Sequence, residues 1–460
     1  MPEGIRVAGG QGFYGDTPTA VDALLADGVD YLCLEALAEL TLAILQKDRQ
    51  RDEARGYTRD LPAYLARALP AVAAGTTKVI TNAGGINPHA AARAAIDTAK
   101  QMGVTGITVA TVLGDDLMSR LGDLHADGQR FAHLDTGEPF DALPAEPLFA
   151  SAYLGARPIA DALARGADIV ITGRVADASL FLAPLAHEHG WAWDDWDRLA
   201  AGILVGLLLE CSGQSLGGNY TGDWWALPEP WHLPYPLAEV ATDGTAVIGK
   251  AAGTGGRVST DTLRHQLLYE VHDPARYVSP DVVADFTSAA FEDLPGDRVR
   301  VTGVRGTPAT DDYKLLLAFH AGWAGEARVA FSWPDAHEKS RATAAIFLRR
   351  VEQSGLAVDE WHVEHWGVDA LGGPTVPRAP EGCEPPECVL RVAWRCADQR
   401  TAGLVGRELV PLTLSAPPPG MTGAGGRGGG GATELLGIWP TLVDKALVDR
   451  HVSVTLEEVR

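Results

Sequence analysis

Three groups of residues in this chain have types and spacings that could do chemistry. The first lies in "ADIVITGRVADASLF" (167–181), where the apolar run Ile169-Val170-Ile171 gives way to Gly173, Arg174, Asp177 and Ser179. A buried strand that ends in this way is where open α/β folds place their ligands. Arg174 offers a planar fork suited to a carboxylate or phosphate, so it is expected to hold an anionic substrate group. A plain ion pair with Asp177 is the competing account. The second group is "GDD", with Asp115 and Asp116 following another strand. They could move a proton, Asp116 by preference, or hold a divalent cation with Glu35, or simply favour a helix start. The third is "LLLECSGQSLGGNYTGDWW", which sets Cys211 after a very apolar helix. Cys211 would be a nucleophile if a base or positive neighbour lowered its pKa, and otherwise a small buried hydrophobe. Gln214 and Asn219 are amide ligands from the same loop.

Other loops add candidates. "TNAGGINPHAA" carries Asn82 and Asn87 as polar contacts and Gly84 and Gly85 for close backbone approach, while Asn87 and Pro88 also suit a helix start. "GGQGFYGD" (9–16) with Glu35 is a poor match to a dinucleotide fingerprint, and reads better as a nest of backbone N–H groups for an anion. "GTGGRVSTDTL" puts Gly255 and Gly256 before a helix, where they could cradle a phosphate, but without the lysine an NTPase needs. Cys383, Cys388 and Cys396 lack paired zinc spacing, and "WHVEHW" on a strand sends His362 and His365 to opposite faces.

The elements that must position these residues alternate through the first two hundred positions. "IRVAGGQGF" reads as strand then loop, and strand-like "YLCLEAL", "KVITNAGG", "ITVATVLG" and "DIVITG" are interleaved with helical "PTAVDALLADG", "AELTLAILQKDRQ", "LPAYLARALPAVAAG" and "HAAARAAIDTAKQMG". Such alternation predicts an α/β fold: a parallel sheet with helices on both faces. From about 282 the pattern becomes α+β, which predicts a first domain over 1–281 and a smaller C-terminal α+β domain over 282–460. The segment 420–431 is expected to be a flexible glycine-rich loop.

A net charge of −22 on 460 residues disfavours nucleic acid and anionic membrane surfaces as partners. No apolar run is long enough to span a bilayer, the first residues do not resemble an export signal, and five cysteines do not suggest a disulfide framework. The expectation is a cytoplasmic protein.

In order and number the motifs "GFYGD", "VDYLCLEALAELTLAIL", "VITNAGGINP", "SAYLGARPIADALARGADIVITGRVADASLFLAPL", "LLECSGQSLGGNYTGDW", "GTGGRVS" and "LLYEVHDPARYVSPDVVADFT" resemble the acyclic terpene utilisation family AtuA. The resemblance is dense from Ile5 to Thr287 and thinner through "LGIWPTLV". It implies chemistry on a branched acyl-CoA or related carboxylate, of lyase or hydratase type, such as aldol-type cleavage or hydration and dehydration. No cofactor is firmly implied, a divalent metal stays open, and a homo-oligomer is expected. A metal-dependent hydrolase and a non-catalytic binding or assembly protein are the alternatives.

Overall fold

The computed structural model describes residues 4–375, 384–417, 420–422 and 431–460. Short apolar runs form the strands β1 (Ile5–Gln11), β2 (Tyr31–Leu34), β3 (Lys78–Thr81), β4 (Thr108–Leu113), β5 (Pro147–Ala152) and β6 (Ile169–Thr172). Between them lie α1 (Val21–Asp27), α2 (Glu39–Arg51), α3 (Leu61–Ala73), α4 (Pro88–Gln101), α5 (Leu121–Ala126) and α6 (Arg157–Ala164). The helix ends follow local chemistry. Asn87 accepts a hydrogen bond from Ala90 N at 3.2 Å with Pro88 at the first helical position of α4, and α1 stops at Gly28 in the left-handed region (φ 78°).

β1, β2, β3, β6 and β4 lie side by side in that order and run parallel. Side-chain alternation along β2 shows helices on both faces. Leu32 and Leu34 join a core with Leu24 of α1, Leu65 of α3 and Ile96 of α4. The intervening Cys33 instead donates its thiol to the Leu180 carbonyl of α7 (Ser179–His189), at 3.4 Å. Each leucine sealed in this core contributes roughly 1.5–3 kcal/mol. α8 (Trp196–Leu209) is apolar almost all round and buries ten residues.

The sheet as a whole is mixed, not purely parallel. β7 (Pro236–Val240) pairs antiparallel with β1 and with β8 (Ala246–Lys250). Helix α9 (Thr260–Glu270) follows, and β9 (Tyr277–Val278), β10 (Val283–Asp285) and β13 (Arg305–Thr307) make a small separate sheet. β11 (Ala290–Leu294) and β12 (Arg298–Thr302) extend the large sheet beyond β8. The signal for the antiparallel flank is Asp243-Gly244 between two strand-like runs, a hairpin turn that closes with Ala241 N to Thr245 O at 2.8 Å.

The chain divides into two compact units: residues 1–142, 147–318 and 438–460, and residues 143–146 with 319–437. The boundary therefore falls later than 281/282. Residues 298–302 are in the ladder with β8, and the last strand is in a ladder with β4, which ties both segments to the large sheet. β14 (Asp312–Ser332) supplies residues to both units. The smaller unit holds β15 (Glu360–Trp366), β16 (Glu387–Cys396) and β17 (Gly420–Thr422) in an antiparallel sheet with β14. Cys388, Leu390, Val392, Trp394 and Cys396 of β16 form one core with Phe347 of α10 (Ala336–Ser354) and Val405 of α11 (Gln399–Arg407). After β18 (Thr433–Asp444), β19 (Ser453–Glu458) closes the large sheet antiparallel to β4. Cys383 and residues 423–430 of the predicted glycine-rich loop lie outside the described residues. Among those described, no helix is long and apolar enough to cross a membrane.

Candidate functional site

The segments leaving the carboxyl ends of β1, β2 and β6 meet the chain that follows α8 around a cleft of about 1090 Å³. This is the position expected for a ligand above a parallel sheet. Its lining combines Glu35, Glu39, Arg174, Asp177, Glu210 and Lys314 with apolar residues such as Leu37, Leu134, Leu227 and Leu233.

Arg174 is 3% exposed and is held largely by the protein itself. Nη1 donates to the Leu37 carbonyl at 2.6 Å and lies 3.0 Å from Asp177 Oδ1, while Nη2 donates to Asp177 Oδ2 at 3.4 Å. Glu35 stands 3.9 Å away, and the guanidinium carbon sits 4.1 Å from the centre of the Tyr153 ring. Burial works against the charge, but the fields of Asp177, Tyr153 and Glu35 keep the guanidinium protonated. The ion pair with Asp177 thus accounts for most of what Arg174 does.

The carboxyls around it differ in kind. Glu35 accepts from Leu37 N at 2.7 Å and Asn82 Nδ2 at 2.9 Å, yet burial and then the charge of Asp177 lift it well above the carboxylate range. Burial also raises Glu39, but Lys314 at 3.0 Å and the Tyr153 hydroxyl at 2.8 Å overcome it and bring Glu39 down to about 2. Glu210 is 4% exposed and its Oε2 has no hydrogen-bond partner. Burial, followed by the charges of Asp177 and Glu270, pushes its carboxyl well above the usual range. Glu210 caps the carboxyl end of α8, where the helix dipole also disfavours an anion.

Cys211 lines the same cleft, but burial and then Glu210 push its thiol far up, so it is not a thiolate at neutral pH. Gln214 and Asn219 are in the lining and bond to one another at 2.8 Å, with Gln214 donating to Gln266 at 2.8 Å. Gly256 is in the lining and Gly255 is not. Neither cradles a phosphate, because Gly255 N donates to His232 O at 2.8 Å and Gly256 N to Pro228 O at 2.7 Å. The nest after β1 is likewise filled from within: Gly12 N donates to Asp16 Oδ2 at 3.1 Å, and Asp16 also accepts from the Ser212 and Tyr235 hydroxyls.

Six further expected residues sit elsewhere. Asn82 is fully buried one step behind the lining, where it orients Glu35 and accepts from Ala36 N at 2.7 Å. Asn87 caps α4 and donates to the Glu53 and Arg55 carbonyls at 3.0 and 2.8 Å. Gly84 lets the turn approach the end of β6: a Cβ there would lie 2.3 Å from Thr172 O. Asp115 and Asp116, with Gly85, border a separate cleft of about 290 Å³. The chain past β4 is drawn there by pairing with β5, through Ala152 N to Asp115 O and Leu117 N to Ala150 O, both at 2.8 Å.

Asp115 accepts from Arg174 N at 2.8 Å and so supports the Arg174 loop from below; burial raises its carboxyl to about 7. Asp116 is exposed and accepts from Met118 N at 2.9 Å. Asp115, Asp116 and Glu35 therefore do not assemble a metal site. Among the described residues no group of three or more His, Cys, Asp or Glu is placed to hold one.

Sequence reasoning missed Glu210, Tyr153, Glu270 and Lys314. For Glu210 a signal was present: it is the one ionisable residue ending the apolar run "GILVGLLLE". Lys314 arrives from β14, more than a hundred residues after Arg174, and no local pattern marks it.

No curated protein and no solved structure matches the chain. The model of one family, the acyclic terpene utilisation family protein AtuA, matches residues 5–454, and the chain belongs to that family.

Proposed function

We propose that the protein is an enzyme of branched acyl metabolism, of lyase or hydratase type, that moves a proton beside a carbonyl group. The observation that carries this reading is Glu210, a buried carboxyl without a cation partner on the wall of the large cleft, whose proton burial and the neighbouring carboxylates hold more tightly than usual. A carboxyl tuned upward in this way can give a proton to a departing oxygen, or take one from carbon once it has ionised. The leucines in the lining suit a branched hydrocarbon chain. The family's description as acyclic terpene utilisation supports a branched substrate.

The test is a mass-spectrometric turnover screen with and without divalent metal. It uses branched 3-hydroxyacyl and α,β-unsaturated acyl compounds as thioesters and free acids, on the wild-type protein and Glu210→Gln. Loss or gain of water, or release of a carbon fragment, by the wild type alone is the expected result. Silence across the panel, or full turnover by Glu210→Gln, overturns the reading.

A further inference from the structure

The lining of the large cleft has an unusual charge balance. Seven carboxyl groups face it against two cations. Both cations are already engaged by carboxylates, Arg174 by Asp177 at 3.0 Å and Lys314 by Glu39 at 3.0 Å. The Glu210 carboxyl has an oxygen with no partner at all. Several glycine N–H groups of the lining are also spent. Gly12 N goes to Asp16, Gly217 N to Gln214 O at 3.2 Å, Gly218 N to Gly213 O at 3.0 Å, and Gly256 N to Pro228 O at 2.7 Å.

We infer that this cleft receives its substrate as an uncharged molecule, whose polar head is a hydroxyl or carbonyl group, and rejects forms that bring a carboxylate or phosphate with them. The inference rests on the reading of the cleft as the substrate site and narrows its substrate class. An entering anion would leave water for a surface where carboxyl groups outnumber cations and each cation already has a carboxylate partner, so its desolvation is poorly offset. An uncharged head meets no such penalty, and a protonated Glu210 can donate to its oxygen while neighbouring carboxylates accept from its hydroxyl. Discrimination therefore comes from repulsion of the wrong form as much as from attraction of the right one.

The test is isothermal titration calorimetry on the full chain with one branched 3-hydroxyacyl group in three forms: the N-acetylcysteamine thioester, the free acid and the coenzyme A thioester. The N-acetylcysteamine thioester is expected to bind at least tenfold more tightly than the other two, with an affinity that does not change with salt. Equal or tighter binding of the free acid or the coenzyme A thioester overturns the inference, as does failure of the uncharged thioester to bind. Glu210→Gln separates this from the proposed reaction: it abolishes turnover if the reaction is right and retains the preference for the uncharged thioester if the inference is right.

Discussion

Asp177 lies one helical turn beyond Arg174 in sequence and folds back so that its Oδ1 stands 3.0 Å from Arg174 Nη1, with the arginine 3% exposed. The arginine expected to be offered to a substrate is thereby committed to its own loop. Replacing Arg174 with methionine leaves the buried Glu35 and the half-buried Asp177 carboxyls without their cation. It should cost about 3–5 kcal/mol, the usual loss when one partner of a buried ion pair is removed. Urea unfolding followed by circular dichroism measures this, and a loss below about 1 kcal/mol would mean the pair is not structural.

Glu210 governs the expected pH profile. Its carboxyl is raised in the folded protein, so it keeps its proton to higher pH than an ordinary carboxyl. The rate constant kcat should fall as pH rises, and Glu210→Gln should lower kcat by about 10²–10⁴ across the range. The same shift destabilises the fold as pH climbs through the raised value, and the glutamine variant escapes that loss. Parallel measurement of kcat and unfolding against pH distinguishes the two effects.

Asp115 supplies a second pH dependence with a defined window. Its carboxyl stands at about 7 in the folded protein and at 3.8 without the fold. Below 3.8 both states hold the proton and nothing is lost. Between there and about 7 the unfolded chain ionises first, so stability declines through that interval. Asp115→Asn can still accept from Arg174 N and should flatten the decline, as read by thermal unfolding at closely spaced pH values.

Gly84 tests the packing reason for a glycine in "TNAGGINP". A methyl group at this position meets Thr172 O at 2.3 Å and the Pro88 Cα at 2.9 Å, both backbone atoms with little freedom to move. Gly84→Ala should destabilise by about 1–3 kcal/mol or more. An alanine variant as stable as the wild type in denaturant titration would show that the turn can yield.

Cys211 should behave as a thiol. Burial and Glu210 hold its proton on, so iodoacetamide at neutral pH should label it at least about tenfold more slowly than free cysteine. Peptide mass spectrometry after timed quenching gives the rate, and labelling as fast as free cysteine would restore the nucleophile reading.

The sequence by itself determined the family, the central parallel strands and the helices between them. These are local properties: β-branched runs at Ile169–Thr172, a capped start at Asn87-Pro88 and a glycine end at Gly28 are each legible within a few residues. It also pointed to a crevice at the carboxyl end of Ile169–Thr172 for Arg174 and Asp177, because loops at the carboxyl ends of parallel strands converge. Cys211, Gln214 and Asn219 instead follow a helix and reach the same cleft through the tertiary fold.

Only the tertiary structure decided which side chains face the cleft and in what state. Asp115 and Asp116 follow a strand as Glu35 does, but pairing of residues 115–117 with β5 turns them into another pocket. Glu210, Tyr153 and Lys314 are far apart in the chain and meet only after folding. Their protonation follows from burial and from one another's charge. Those are properties of a three-dimensional environment, and residue type and spacing do not encode them locally.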